Sequence, residues 1–242
     1  YIGYTTKEYL LSTKDANVIE LKAQFSSLKE VVVSASREIQ ERKEVPHAIS
    51  VITSEKIAET KAFGFDQLLN DTPGVYFSSS RASSNEQHFT AARSPISTRP
   101  LFLFLEDGLP TRPTAIFNHN TLLERNQAAY DRIEVLHGPA ASIYGSDAIG
   151  GSFNFITKNP EDKLKGAFDL QSNTLGFTGA NLDFGKNINK YVGFYVASQY
   201  NQRVGGPFAH SDYTKKALTA KVVVTPTDNT KFTLTYNNVD FF

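Results

Sequence analysis

HGPAASIYGSDAIGGSFNFITKNP, residues 137–160, crowds glycine, alanine and serine together and then breaks into the apolar run of residues 153–157. A compact glycine-rich segment suggests a phosphate-cradling loop or a nucleophile elbow. No lysine follows a glycine as the first needs, and no Gly-x-Ser-x-Gly stands here for the second. His137, Ser142 and Asp147 lie close in sequence, but nothing orients them as a triad. Packing is the better reading: glycine and alanine let a backbone approach its neighbours closely, and glycine takes angles that other residues resist.

Beyond Pro160 helical signals vanish and the pattern becomes strictly two-residue. Phe168 and Leu170 alternate with Asp169 and Gln171; Ala180, Leu182 and Phe184 alternate with Asn181 and Asp183. Val192, Phe194, Val196 and Tyr200 share one face, as do Leu218, Ala220, Val222 and Val224, then Phe232, Leu234 and Tyr236. The opposite faces carry Thr, Asn, Gln, Asp and Lys221. Five strands of about 9–11 residues fit tilted membrane-spanning strands. KNINK and TPTDNTK read as tight turns and NQRVGGPFAHSDYT as a longer loop, the habit of outer-membrane barrels. Pattern alone leaves open a soluble antiparallel sheet with one wet face, which shares the alternation.

Upstream, from Val31 to Pro160, the texture is mixed. Ser54 is expected to cap a short helix over SEKIAETKAF with Glu55 in its first turn, and GFDQLLNDTPGV offers a second, with Leu68 and Leu69 inward and Pro73-Gly74 ending it. VYF, LFLFLED and RIEVLH read as strands, and SSSRASSNEQ (78–87) as a polar, solvent-facing loop. Residues 1–23 alternate short β-prone runs with polar turns, and the linker QFSSLKE follows.

Lys+Arg 25 against Asp+Glu 25 leaves no net charge, which argues against a nucleic-acid binder. With Cys 0 there is no disulfide, thiolate metal site or cysteine nucleophile. With Met 0 and a strand-like start at Tyr1, the 242 residues read as a piece of a longer protein. No apolar run approaches the ~20 residues of a membrane helix. His88 and His119 lack a second ligand at useful spacing, so neither a metal site nor a cofactor is expected.

The run DRIEVLHGPAASIYGSDAIGGSFNFITK resembles the signature that ends the plug of the TonB-dependent outer-membrane receptors, R-I-E-V-x-x-G-P-x-S-x-x-Y-G-x-x-A-x-G-G-x-x-N-x-I-T-K. It matches at Arg132, Glu134, Gly138, Pro139, Ser142, Tyr144, Gly145, Ala148, Gly150, Gly151, Asn154 and Thr157. LKEVVVSASR resembles the leader with the TonB box; VPHAISVITSEKI, DQLLNDTPGV and LEDGLP resemble other plug landmarks. FTAARSP lacks the glycine that the family places after the arginine, and GGSFNF replaces its aliphatic run.

The resemblance implies an α+β plug domain with a mixed sheet and short helices, followed by the first strands of a transmembrane antiparallel β-barrel. The expected divisions are 1–28, the end of a carboxypeptidase-regulatory-like β-sandwich with its linker; 29–160, TonB box and plug; and 161–242, barrel strands. A barrel of roughly 22 strands has a lumen that needs a plug. An open sheet edge cannot persist in hydrocarbon, so further strands are expected after Phe242. The glycines of 138–151 would let the plug approach the barrel wall.

The resemblance further implies active import of a scarce ligand across the outer membrane, with plug and N-terminal region facing the periplasm, and not an enzyme. TonB would grip Glu30, Val31, Val32, Val33, Ser34 and Ala35, a β-branched run suited to pairing with a partner's sheet edge. Ligand contacts are expected from Arg81, Arg93, Arg99, Arg112, Phe117, Asn118, His119 and Asn120. Several arginines suit an anionic metal chelate (siderophore, haem or cobalamin class). Arg132 and Glu134 are assigned to plug–barrel ion pairing. The expected partners are TonB, the metal chelate and outer-membrane lipid. A starch-utilisation-type glycan or peptide importer, working with a surface lipoprotein, is the alternative. Its plug usually ends K-D-A-S-A-x-x-Y-G-x-x-A-x-x-G-V, which this sequence does not follow. A soluble β-rich binding protein or adhesin is the third reading.

Overall fold

The structure, a computed structural model, describes residues 31–32, 40–41, 45, 47–79, 88–96, 101–112, 121–139, 141–145, 147–206 and 212–242. The expected β-sandwich remnant, residues 1–28, lies outside them. Two five-stranded sheets dominate, one mixed and one antiparallel.

The mixed sheet is ordered β3-β8-β9-β6-β7. Its strands are β3 (Ala48–Ile52), β6 (Phe102–Glu106), β7 (Leu109–Pro110), β8 (Tyr130–His137) and β9 (Gly151–Thr157). β9 lies between an antiparallel β8 and a parallel β6 and is buried along its whole length. That accounts for the apolar run closing the segment 137–160. On one face Phe153 and Phe155 meet Phe102, Phe104 and Tyr130, under Phe65, Leu68 and Leu69 of α2 (Phe65–Asn70) and Phe77 of β4 (Val75–Ser79). The rings interlock: Phe104–Phe153 stack at 5.2 Å between centroids, and Phe77–Phe153 and Phe65–Phe155 meet edge-on at 5.3 and 5.1 Å. On the other face Leu103, Leu105, Leu136 and Ile49 are covered by Val45, Tyr144, Ala148 and the fully buried Val32.

Local signals place the helices. α1 (Ser54–Thr60) is capped by Thr53, whose hydroxyl accepts from Lys56 N, so the cap stands one residue before the expected Ser54. Glu55 occupies the first turn, where backbone and Thr53 hydrogen bonds hold its carboxyl below the usual value. α2 ends at Asn70, ahead of Pro73-Gly74, and Leu68 and Leu69 are buried as their spacing requires. Asn70 then bridges to β4, donating to Phe77 O at 2.9 Å and accepting from Phe77 N at 2.6 Å. β4 pairs with β5 (His88–Ala92) as a hairpin.

The glycine pair is explained by the plug's own backbone, not by the wall as the sequence suggested. A Cβ on Gly150 would stand 2.6 Å from Ala92 O, and Gly151 holds φ +155° with Leu136 O where its Cβ would go. Gly150 lets the chain pass the end of β5, and Gly151 brings the start of β9 against β8.

The antiparallel sheet runs β10 (Lys165–Ser172), β11 (Phe177–Asn187), β12 (Val192–Arg203), β13 (Tyr213–Thr227) and β14 (Thr230–Phe241), in sequence order. At 8, 11, 12, 15 and 12 residues they depart from the even lengths anticipated. One rim carries the turns at 188–191 and 228–229. The other carries the longer connection 204–212, but also a four-residue turn, 173–176, so length does not separate the rims cleanly. Asn173 Oδ1 closes that short turn by accepting from Leu175 N and Phe177 N.

Burial in this sheet is the reverse of a soluble protein's. Phe168, Leu182, Phe184, Leu218, Val222, Phe232, Leu234 and Tyr236 are open, Leu234 at 73%, while Lys215, Lys221, Gln199, Asn201, Thr219 and Asp183 are buried, Lys221 at 3% exposed. A water-soluble sheet would bury the first set and expose the second. A barrel wall in lipid with a polar lumen shows this arrangement, and the alternation is thereby resolved. No helix among the described residues is long and apolar enough to cross a membrane.

Candidate functional site

The described functional chemistry lies where plug meets wall. A 3-10 turn, Gln127–Ala129, forms a docking plate: Asn126 caps it by accepting from Ala128 N, and small Ala128 and Ala129 pack on Tyr195 and Ala197. Asn126 Nδ2 donates to Ala197 O at 3.0 Å and Thr219 Oγ1 at 3.1 Å. Gln127 and Gln199 pair twice, Tyr195 donates to Ala128 O at 3.0 Å, and Lys215 Nζ to Arg125 O at 2.6 Å. A polar lumen wall can bury these groups only by pairing them with plug backbone and amides, which it does.

Behind the plate Arg125 is 2% exposed. Its guanidinium lies 4.0 Å from the Phe155 ring centroid, 3.4 Å from Glu106 and 3.2 Å from Thr111. Tyr130 donates to the same Glu106 at 2.7 Å, and burial pushes its phenol well above the ordinary value.

Asp107 makes a three-way junction. At φ +47° it turns the chain between β6 and β7, and its carboxylate accepts from Thr157 N at 2.8 Å and Thr157 Oγ1 at 2.6 Å. Lys221 of the wall reaches it at 3.4 Å. Turn, plug exit and wall are thus held at one point. Asp107→Ala leaves two Thr157 donors unpaired and takes the counter-charge from the buried Lys221, which keeps only Thr157 O and Asn159 Oδ1. Because the carboxylate is one-third exposed, a cost of about 2 kcal/mol is expected in plug unfolding, with Asp107→Asn intermediate. Denaturant melts of the protein in detergent check this, and equal midpoints for all three proteins would refute it.

Along β10 and β11 the seam is looser. A cavity of about 410 Å³ lies between Ile57, Lys61 and Phe65 of the plug and Ala167, Asp169 and Asn181 of the wall. A second, about 380 Å³, continues toward Gly166, Gly185 and Tyr195. Lys61–Asp169 at 2.6 Å and Lys158–Asp183 at 2.9 Å cross the gap.

Of the sequence-derived candidates, Val31 and Val32 form β1 (Val31–Val32), paired antiparallel with β2 (Gln40–Glu41). Glu30, Val33, Ser34 and Ala35 lie outside the described residues, as do Arg81, Arg99, Phe117, Asn118, His119 and Asn120. Arg93, at φ +50°, is exposed at the base of the β4–β5 hairpin, with its N–H on Gly74 O. Arg112 pairs with Glu124 beyond β7. Arg132 pairs with Glu134 at 2.9 Å and Asp131 at 3.2 Å, within β8 and not across to the wall as expected; Asp107, Asn126 and Gln127 make bonds to the wall instead. Asp107 was visible as an Asp-Gly turn, but its partners lie 50 residues away or more, beyond any local signal. Among the described residues no cluster of His, Asp or Glu could hold a metal.

His137 closes β8, its Nε2 2.9 Å from Ser50 Oγ. Burial first, and the charge of Arg93 second, lower its pKa from the ordinary 6.5. The folded plug therefore binds this proton less readily than the unfolded chain. The stability involved is complete above the ordinary value and lost as pH falls through the lowered one. His137→Gln is expected to flatten the acid side of the plug's stability profile; parallel profiles for both proteins would rule this out.

Residues 41–152 match the family model described as TonB-dependent Receptor Plug Domain. The chain is 33% identical over 158 residues to the ferric enterobactin receptor PirA of Pseudomonas aeruginosa, covering 60% of this chain and 20% of that protein. It is 34% identical over 134 residues to the vitamin B12 transporter BtuB of Vibrio vulnificus, covering 54% and 21%. It spans about a fifth of the length of these curated relatives. Its fold resembles that of the ferripyoverdine receptor of the outer membrane of Pseudomonas aeruginosa, with TM-score 0.71 and 21% identity over 88% of this chain and 27% of that one.

Proposed function

Given that this chain belongs to the TonB-dependent outer-membrane receptors, as a plug domain and opening strands of the barrel, we propose that the whole protein imports a metal chelate of the siderophore or cobalamin kind. The observation that carries this is the joining of a plug to an inside-out wall, in a chain whose relatives are named for ferric enterobactin and vitamin B12. A lumen blocked by a packed domain is no open pore, so passage requires work on the plug. In this reading residues 30–35 are the handle by which TonB does it, with plug and N-terminal region on the periplasmic side. Arg81, Arg93, Arg99, Arg112 and the stretch 117–120 are the plug's contribution to ligand contact.

The test is uptake of radiolabelled ferric siderophores and cyanocobalamin by a strain lacking the gene and by the same strain carrying it. Uptake of one chelate should depend on the gene. Equal uptake of every chelate by both strains removes the reading.

A further inference from the structure

The lipid side of the wall carries its charge differently at the two rims, and we propose that the rim at the plug exit holds an anionic phospholipid headgroup on Lys186 and Lys190. That rim is identified by the chain itself: β11 ends beside the segment leaving the plug, with Asn187 N donating to Glu161 O at 2.6 Å. Sheet register then sets the depth of Lys186. It stands directly opposite Phe194, which faces Val222 on β13, which in turn faces Leu234 on β14, a row on the outward side. From such a row a lysine lays its aliphatic stem along apolar neighbours and carries its ammonium to the membrane–water boundary. Lys190 follows in the turn 188–191, its Nζ 4.6 Å from the Tyr191 ring centroid. Asn189 braces that turn, its Oδ1 accepting from Tyr191 N at 2.8 Å and Val192 N at 3.0 Å. Between the two lysines Ile188 is 65% exposed. Two cations thus flank an apolar side chain on a fixed turn, the pattern that a phosphate above an acyl chain meets.

Charge decides the occupant. Among the described residues neither lysine has an ion-pair partner, and the acids beside them are engaged elsewhere. Glu161 pairs with Lys165 at 2.6 Å, and Asp162 accepts from Asn187 Nδ2 at 2.8 Å. Asp228 belongs to the next turn on this rim, two strands along, with Lys231 close behind it. At the far rim the outward Lys216 stands directly opposite Asp240, so charge there is balanced. A positive excess confined to one edge of the apolar band suits anionic lipid, whose surface attracts each nearby lysine; a zwitterionic headgroup offers no net charge to meet it. β11 and β12 are paired on both sides, so the site lies inside the sheet and away from its edges. It depends on the wall standing in lipid and not on which chelate is carried.

The test uses the full-length protein in phosphatidylcholine vesicles, with Phe184→Cys as the single cysteine and a bimane attached to it. Phe184 lies two residues before Lys186, on the same side of β11. Phosphatidylglycerol brominated on its acyl chains is mixed in, and bromine quenching of the bimane reports lipid beside the site. Brominated phosphatidylcholine is the reference. Half-maximal quenching should need at least about fivefold less brominated phosphatidylglycerol than brominated phosphatidylcholine, and salt at about 1 M should erase the difference. Lys186→Gln with Lys190→Gln should bring the two lipids within about twofold of each other. Lys186→Arg with Lys190→Arg should keep the preference, as should Lys216→Gln at the far rim. Equal quenching by the two lipids with both lysines present, or a preference that survives the glutamine pair, overturns the proposal. So does displacement of phosphatidylglycerol by an equal amount of glycerol 3-phosphate, which would mark a site for a free anion.

Discussion

Val32→Pro in the full-length receptor is expected to bring chelate uptake down to that of a strain without the gene, with surface binding unchanged. In the proposed handle a strand edge is offered to TonB, and proline removes the N–H that such pairing needs. The structure adds a condition. Val32 is fully buried beside Val45, Leu105, Tyr144 and Ala148. Undocking it from that pocket costs about 1.5–3 kcal/mol, the usual worth of one buried aliphatic side chain. A loss of uptake could therefore come from disturbed packing and not from the handle. Val45→Ala separates the two, since it loosens the same pocket and leaves the handle's backbone intact. Uptake should survive it. Loss of uptake in both variants, or in neither, would remove the handle from this position.

Phe153→Ala should be the most damaging single change to plug stability, at about 3–5 kcal/mol. Phe153 has no exposed surface and touches three rings, stacked on Phe104 and edge-on to Phe77 and Phe102. Those rings come from two other strands, β6 and β4, so no single element can move in to fill the void. Denaturant unfolding of the plug measures it. A loss below about 1 kcal/mol would mean that the cluster collapses freely, contrary to the close packing described.

The parts legible in the sequence are those set by near neighbours. The two-residue alternation after Pro160 gave every wall strand, because side-chain direction in a strand depends on position alone. Leu68 and Leu69 pointed inward for the same kind of reason in a helix. Which face was wet could not be read: Leu234 and Lys221 alternate identically in water and in lipid, and only the burial of one against a plug distinguishes the cases. Gly150 and Gly151 announced a close approach but not to what; the answer, Ala92 O and Leu136 O, is a matter of sheet order. The seam was least visible. Asn126 and Thr219 are 93 positions apart, and nothing in either neighbourhood marks them as partners. Arg132 and Glu134 looked like a reach outward, yet two positions apart on one strand they lie on the same side and within range of each other.

The inverted sheet also bears on how such a protein is made. In water, Phe168, Phe232, Leu234 and Tyr236 of the wall would stand uncovered, the kind of exposed apolar surface through which chains aggregate. The plug has its aromatic centre covered by its own helices and hairpin and carries no such debt. The two halves of one polypeptide thus ask opposite things of the medium in which they fold.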